Sequence, residues 1–190
     1  MNKYKIIALF GPAGSGKDYI VKNLMQTVQG KIYLHEIISY TTRPPRENEK
    51  DGVDYHFVTY DEFVKKDFLE YTTFRNWWYG TATEDLDINK INIGVFNVAG
   101  IYQLINSNLN EKKVDCLPIY IKTNSKIRLL RQLQREISPN CDEIIRRYLT
   151  DQKDFSTIPF EYKIIENNYN EIQPILFDIL DLSKTMGKIN

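Results

Sequence analysis

The stretch YKIIALFGPAGSGKDYIVKNL, residues 4–24, decides the fold. YKIIALF reads as a buried strand, and Ile20, Val21, Leu24, Met25 and Val28 recur at helical spacing. Between them, Gly11 and Gly16-Lys17 have the spacing of a phosphate-binding loop, in the strand–loop–helix context that motif requires. Residues Gly11, Pro12, Ala13, Gly14, Ser15 and Gly16 are expected to gather backbone N–H donors around an anion. The helix start adds a favourable field, and Lys17 adds a point charge for the β- and γ-phosphates. Asp18 and Tyr19 complete the expected nucleotide-contacting segment. A glycine turn with no ligand is the competing reading, and the context weighs against it. One letter is out of place. The motif continues with Ser or Thr, whereas this chain has Asp18, and a carboxylate beside a triphosphate repels it unless it has a task.

Composition excludes several function classes. The chain has 190 residues, 42% hydrophobic and 26% charged, enough for one domain with a proper core. Twenty-five basic and 25 acidic residues cancel, which argues against wrapping nucleic acid or lying on an anionic membrane. No apolar run approaches the roughly 20 residues that span a bilayer. MNKYKIIALFG reads as a first strand and not as a signal peptide. Cys116 and Cys141 are too few for a disulfide framework, so a reducing cytoplasm is the default. His35 and His56 have no Cys or His near them in sequence. The arginines say more. Of eight, Arg43 and Arg46 form one group, and Arg128, Arg131, Arg135, Arg146 and Arg147 another, in a chain otherwise rich in lysine. The planar guanidinium grips phosphate bidentately where lysine does not. A solvated charged face is the bland alternative.

The rest of the chain alternates. Residues 32–42 and 53–58 read as β-rich around the turn RPPRENEKDG, followed by a short helix at 60–66. FLEYTTF and WWYGT read as a hairpin joined near Arg75-Asn76. INIGVFNV (91–98) reads as a strand leading into a short helix. CLPIYI (116–121) precedes polar helices around 124–136 and 141–153, and EYKIIEN (161–167) precedes a helix at 170–184. Strands alternating with helices predict an α/β fold, a parallel sheet flanked by helices of the P-loop NTPase type. The mostly β segment 32–82 reads as an insertion at the ligand-binding edge.

The segment SYTTRPPRENEKDGVDYHFVTYDEF (39–63), followed by FLEY and WWYGT, resembles the monophosphate-binding region of guanylate kinases. With GPAGSGKD upstream, two Arg-bearing helices and the IIEN strand downstream, the resemblance covers essentially the whole chain. It implies a single domain with core 1–31, 83–122 and 155–190, a nucleoside-monophosphate-binding region at 32–82 and a lid at 123–154. It implies phosphorylation of GMP or dGMP, with ATP as donor and Mg²⁺ as cofactor. By resemblance, Arg43 and Arg46 hold the acceptor phosphate with Tyr55 and Tyr79. Glu70 reads guanine, and Ser39 and Thr81 complete base recognition. Arg131, Arg135 and one of Arg146 and Arg147, with Arg147 preferred, act with Lys17 on the transferred group. Asn167 or Asn168 stands where adenine is contacted, a simple turn being the other reading.

The chain also departs from the family pattern. Val95 and Asn97 stand where relatives commonly carry aspartates near the metal. Asp18 is therefore read as the relocated acid that binds Mg²⁺, a hard cation that favours carboxylate oxygen. Capping of the helix start is the alternative. Two other functions remain open: a kinase of the same fold for another nucleoside monophosphate or for ribose bisphosphate, and a non-catalytic scaffold module. An intact loop and lid arginines argue against the scaffold. Monomer and homodimer are both compatible with the sequence.

Overall fold

Residues Ile6, Ile7, Ala8, Leu9 and Phe10 are fully buried in succession, which only a strand covered on both faces allows. The computed structural model describes residues 3–46, 49–74, 76–106, 114–135, 137–168 and 171–187. It makes β1 (Tyr4–Phe10) the middle of a five-stranded parallel sheet ordered β2-β7-β1-β8-β9. The others are β2 (Leu34–Glu36), β7 (Ile91–Val95), β8 (Val114–Lys122) and β9 (Lys163–Glu166). On one face, α1 (Lys17–Gln26) and α7 (Gln173–Lys184) pack Ile20, Leu24, Ile175 and Ile179 onto Ile7, Leu9 and Ile93. On the other, α4 (Val98–Asn106) sets Ile101 and Leu104 against Ile6, Ala8 and Phe10. The expected α/β architecture is the one observed. Among the described residues, no helix is long and apolar enough to cross a membrane.

The segment expected as a strand at 32–42 is built differently. After α1 the chain breaks at Thr27, whose hydroxyl accepts from Gly30 N at 2.8 Å and starts a new helix, α2 (Val28–Tyr33). Gly30 is required there, because a Cβ would lie 1.9 Å from the Leu24 carbonyl oxygen. Leu34–Glu36 is then extended and pairs with β7 in the central sheet, whereas Tyr40–Thr41 is a strand of a second sheet. Leu34–Glu36 therefore belongs to the core, although it falls inside the 32–82 span read as the insertion.

A second sheet carries the rest of that insertion, in the order β4-β3-β6-β5. Its strands are β3 (Tyr40–Thr41), β4 (His56–Phe57), β5 (Phe68–Phe74) and β6 (Trp77–Ala82). Between β4 and β5, α3 (Tyr60–Phe63) is set by a capping box of Thr59 and Glu62. The hairpin turns at Asn76, φ 65°, a left-handed position that asparagine tolerates. The segment 123–154, expected to act as a lid, holds α5 (Ser125–Gln134) and α6 (Cys141–Asp154).

Asn92 fastens the return from the small sheet to the core. Its side chain is fully buried, donates to the carbonyls of Lys5 and Asp87, and accepts from Asp87 N at 2.8 Å. Replacing it leaves those backbone groups unpaired, at about 1–3 kcal/mol for each. Asn92→Ala is expected to lower stability by about 3 kcal/mol. It should appear as a lower urea midpoint with an unchanged denaturant slope.

Candidate functional site

The phosphate loop is shaped by three glycines at positive φ, Gly11, Gly14 and Gly16. Two could not carry a side chain in any case. A Cβ on Gly11 would meet the Ile121 carbonyl oxygen at 2.8 Å, and one on Gly14 the Arg128 carbonyl oxygen at 2.6 Å. The loop's carbonyls are engaged away from its concave side. Ser15 O accepts from the buried Asn167 side chain at 2.7 Å and from the Thr123 hydroxyl at 3.2 Å. Asn167 thus buttresses the loop, a role its position after a strand did not reveal. Lys17 Nζ donates to Gly11 O at 2.7 Å, Pro12 O at 3.1 Å and Ser15 Oγ at 3.2 Å. Burial lowers the pKa of its ammonium, opposed by the Asp18 and Asp151 carboxylates. Tyr19 is exposed in the first turn of α1.

The lid reaches this loop through α5. Arg131 Nη1 donates to Gly14 O at 3.4 Å. Arg128 is almost fully buried, lies over the Tyr148 ring and pairs with Asp151 of α6 at 3.5 Å. Sequence reasoning placed Arg128 on the same helical face but favoured its two neighbours. Arg135, at the end of α5, is exposed. Arg146 and Arg147 both pair with Glu143, at 2.8 and 2.7 Å. Of the three preferred lid arginines, then, only Arg131 touches the loop in this structure.

Several residues expected on the acceptor side lie together. The Arg43 guanidinium lies over the rings of Tyr55 and Phe57, and the Tyr55 and Tyr79 rings meet edge to face. Burial pushes the Tyr55 hydroxyl up to about 12, so it stays protonated and able to donate. Glu49, which sequence reasoning passed over, organises both arginines. It pairs with Arg43 at 2.8 Å and Arg46 at 3.6 Å, and accepts from Arg46 N at 2.9 Å. A carboxylate three and six residues after two arginines was the available signal. The Ser39 carbonyl accepts from His56 N, which holds Ser39 at the start of the small sheet.

Glu70 is the most constrained member. A bulge between Phe68 and Glu70 sets its register opposite Thr81, and its side chain is buried. Its strand is an edge, fastened to α4 by Gln103, which accepts from Tyr71 N and donates to Tyr71 O. Asn97 adds a second tie, donating to Thr72 Oγ1 at 2.7 Å while accepting from Gly100 N. Gly100 is needed because a Cβ there would come 2.6 Å from Glu70 Oε2. Neither Gly100 nor Gln103 is marked by any local pattern. Burial raises the Glu70 carboxyl to about 7, opposed by the Thr81 hydroxyl and N–H nearby. The Thr81 hydroxyl is buried without a hydrogen-bond partner of good geometry. Glu70 and Thr81 thus form a buried polar pair.

The metal question turns on Asp18. It is exposed on the first turn of α1, and its side chain makes no cap to the helix, whose N-cap is Gly16. Its charge acts on both Lys17 and Tyr55 through space. Asn97, standing where an acid was expected, is consumed as a cap and a tie to Thr72. Among the described residues, no three His, Cys, Asp or Glu side chains form a ready-made metal centre. A single carboxylate fits Mg²⁺, which is commonly held by one or two carboxylates together with substrate phosphates.

The buried Glu70 carboxyl has a measurable consequence for stability. Its folded pKa lies above its unfolded value near 4.5, so its contribution is fully present below about pH 4.5 and is lost as pH rises through about 7. The loss is on the order of 3 kcal/mol. In Glu70→Gln this fall between pH 4.5 and 7 is expected to be absent from urea unfolding curves, while the wild type shows it.

Comparison with known proteins agrees with this geometry. The guanylate kinase family profile matches residues 3–182. The guanylate kinase of Schizosaccharomyces pombe is 34% identical over 151 residues, covering 70% of this chain and 74% of the relative. That of Sulfurimonas denitrificans is 31% identical over 189 residues, covering 94% and 88%. The crystal structure of guanylate kinase from Anaplasma phagocytophilum superposes with a TM-score of 0.66 at 18% identity, over 100% of this chain and 89% of that one, and so shares the fold. With the profile spanning nearly the whole sequence and relatives above 30% identity, this chain belongs to the guanylate kinase family.

Proposed function

We propose that the chain transfers the γ-phosphoryl group of ATP to GMP or dGMP, giving the nucleoside diphosphate and ADP. The observation that carries the reading is the Glu70–Thr81 pair: a buried carboxylate set in register opposite a buried hydroxyl. Guanine presents N1–H and an exocyclic amine on one edge, two donors for one carboxylate. Adenine presents no such pair there, and it would leave a buried charge unsatisfied. Arg43, Arg46, Tyr55 and Tyr79 then hold the acceptor phosphate, with Glu49 aligning the two guanidiniums.

The chemistry needs no general base, because the attacking group is already a phosphate oxygen. Lys17 and the loop N–H groups bind the donor phosphates. Arg131, and Arg135 and Arg147 once the lid moves, supply charge to the equatorial oxygens. Closure of the lid excludes water and limits hydrolysis of the donor. Mg²⁺, when bound through Asp18 and the donor phosphates, neutralises phosphate charge. A cytoplasmic setting suits these substrates.

Coupled ADP release is the test, with ATP and Mg²⁺ against GMP, dGMP, AMP, dTMP and dCMP. Turnover is expected only with the two guanine nucleotides, and Glu70→Gln should lower kcat/KM for GMP by about 100-fold or more. Turnover with another base would discard the guanine assignment and keep the kinase. Asp18→Ser should raise the Mg²⁺ concentration needed for half-maximal activity, and Asp18→Asn should weaken activity further at low metal. An unchanged Mg²⁺ dependence in both variants would remove Asp18 from the metal site.

A further inference from the structure

The lid and the phosphate loop meet through an unexpected bond. Ala13 N, one of the loop's anion-facing donors, donates to Asp151 Oδ2 at 2.7 Å, across 138 residues of sequence. The same carboxylate oxygen lies 3.5 Å from Arg128 Nη1, and Lys17 is close enough to act on it electrostatically. A backbone N–H and a guanidinium beside one carboxylate oxygen, with the loop lysine acting on it through space, resemble the environment that a phosphate oxygen takes in such loops. Asp151 is held there on α6 and is half-buried, while Arg128 is packed beneath it.

The position along the triphosphate follows from Lys17. Its ammonium rests on the carbonyls of Gly11 and Pro12, next to Ala13, on the strand side of the loop. The lysine of this motif reaches the β- and γ-phosphates, whereas the helix start cradles the α/β end. The Asp151 carboxylate therefore sits at the terminal-phosphate end.

We propose that Asp151 is a positioning residue that stands in for the donor's terminal phosphate. It latches the lid to the loop and must be displaced when a nucleoside triphosphate binds. This rests on the reading of ATP as donor. The latch couples two events: the terminal phosphate takes Ala13 N and frees α6 to carry Arg147 and its neighbours toward the transferred group. A diphosphate lacks the competing phosphate and leaves the latch in place. Asp151 thereby makes the lid responsive to donor and not to spent product.

The test measures nucleotide affinity by calorimetry on the full chain, in EDTA and without acceptor, so that neither metal nor turnover contributes. Asp151→Ala should bind ATP about tenfold more tightly than wild type, because a charge-assisted hydrogen bond no longer competes. ADP affinity should change much less. Asp151→Asn keeps an acceptor without the charge and should fall between. Asp154→Asn removes an equal lid charge at an exposed position of α6 and should leave both affinities as in wild type. Thermal unfolding of each variant shows that the fold is kept, and the intermediate behaviour of the Asn variant separates competition from damage. Unchanged or weaker ATP binding in both Asp151 variants would overturn the latch. Equal gains for ATP and ADP would overturn its placement at the terminal phosphate. A wild-type chain that binds no ATP even after Mg²⁺ is restored would overturn the donor assignment as well as the latch, whereas a wild type that binds ATP with unresponsive variants sinks the latch alone.

Discussion

Everything in the site depends on a loop whose backbone donors must point inward while its acceptors are engaged elsewhere. A peptide group carries both, so each donor left for phosphate leaves a carbonyl to be satisfied on the other side. Asn167 and Thr123 take Ser15 O, Lys17 takes Gly11 O and Pro12 O, Arg131 takes Gly14 O, and the first turn of α1 takes Gly16 O. Besides α1 itself, these partners come from α5 and from the residues that follow β8 and β9. The central sheet is the frame that brings them to one place, because parallel strands deliver their C-terminal ends to a common edge.

A second regularity is the pairing of several arginines of the candidate site with a carboxylate. Glu49 lies between Arg43 and Arg46, Asp151 beside Arg128, and Glu143 on Arg146 and Arg147. Like charges gathered for an anionic substrate repel one another, and local carboxylates hold them in geometry at modest energetic gain. The formal net charge of zero is the chain-wide expression of this arrangement. Binding a phosphate then becomes an exchange of anions around arginines already in place.

Base recognition follows a different logic. Glu70 sits on an edge strand, which by itself would place a carboxylate in water. Gln103 and Asn97 draw that edge against α4, and Gly100 leaves room for the carboxylate. Desolvation then raises its pKa and makes an unmatched base costly. On the proposed guanine reading, the helix that covers Glu70 shapes specificity as much as Glu70 itself.

The sequence alone determined what is local and contiguous. The strand–loop–helix run of residues 4–24, the two arginine groups, the Phe68–Ala82 hairpin and the lid helices all announce themselves by short-range spacing. So did the family, through the long string at 39–63. What only the tertiary structure decided lies across distant segments. Leu34–Glu36 joins the core sheet because Thr27 restarts a helix just before it. Asn167 supports the loop, and Asn97, expected to mark a missing acid, is used as a tie. Asp151 reaches Ala13 from 138 residues away. None of these follows from periodicity. A side chain's task is set by the polar group it finds across the fold, and that partner is known only once the sheet has aligned its strands.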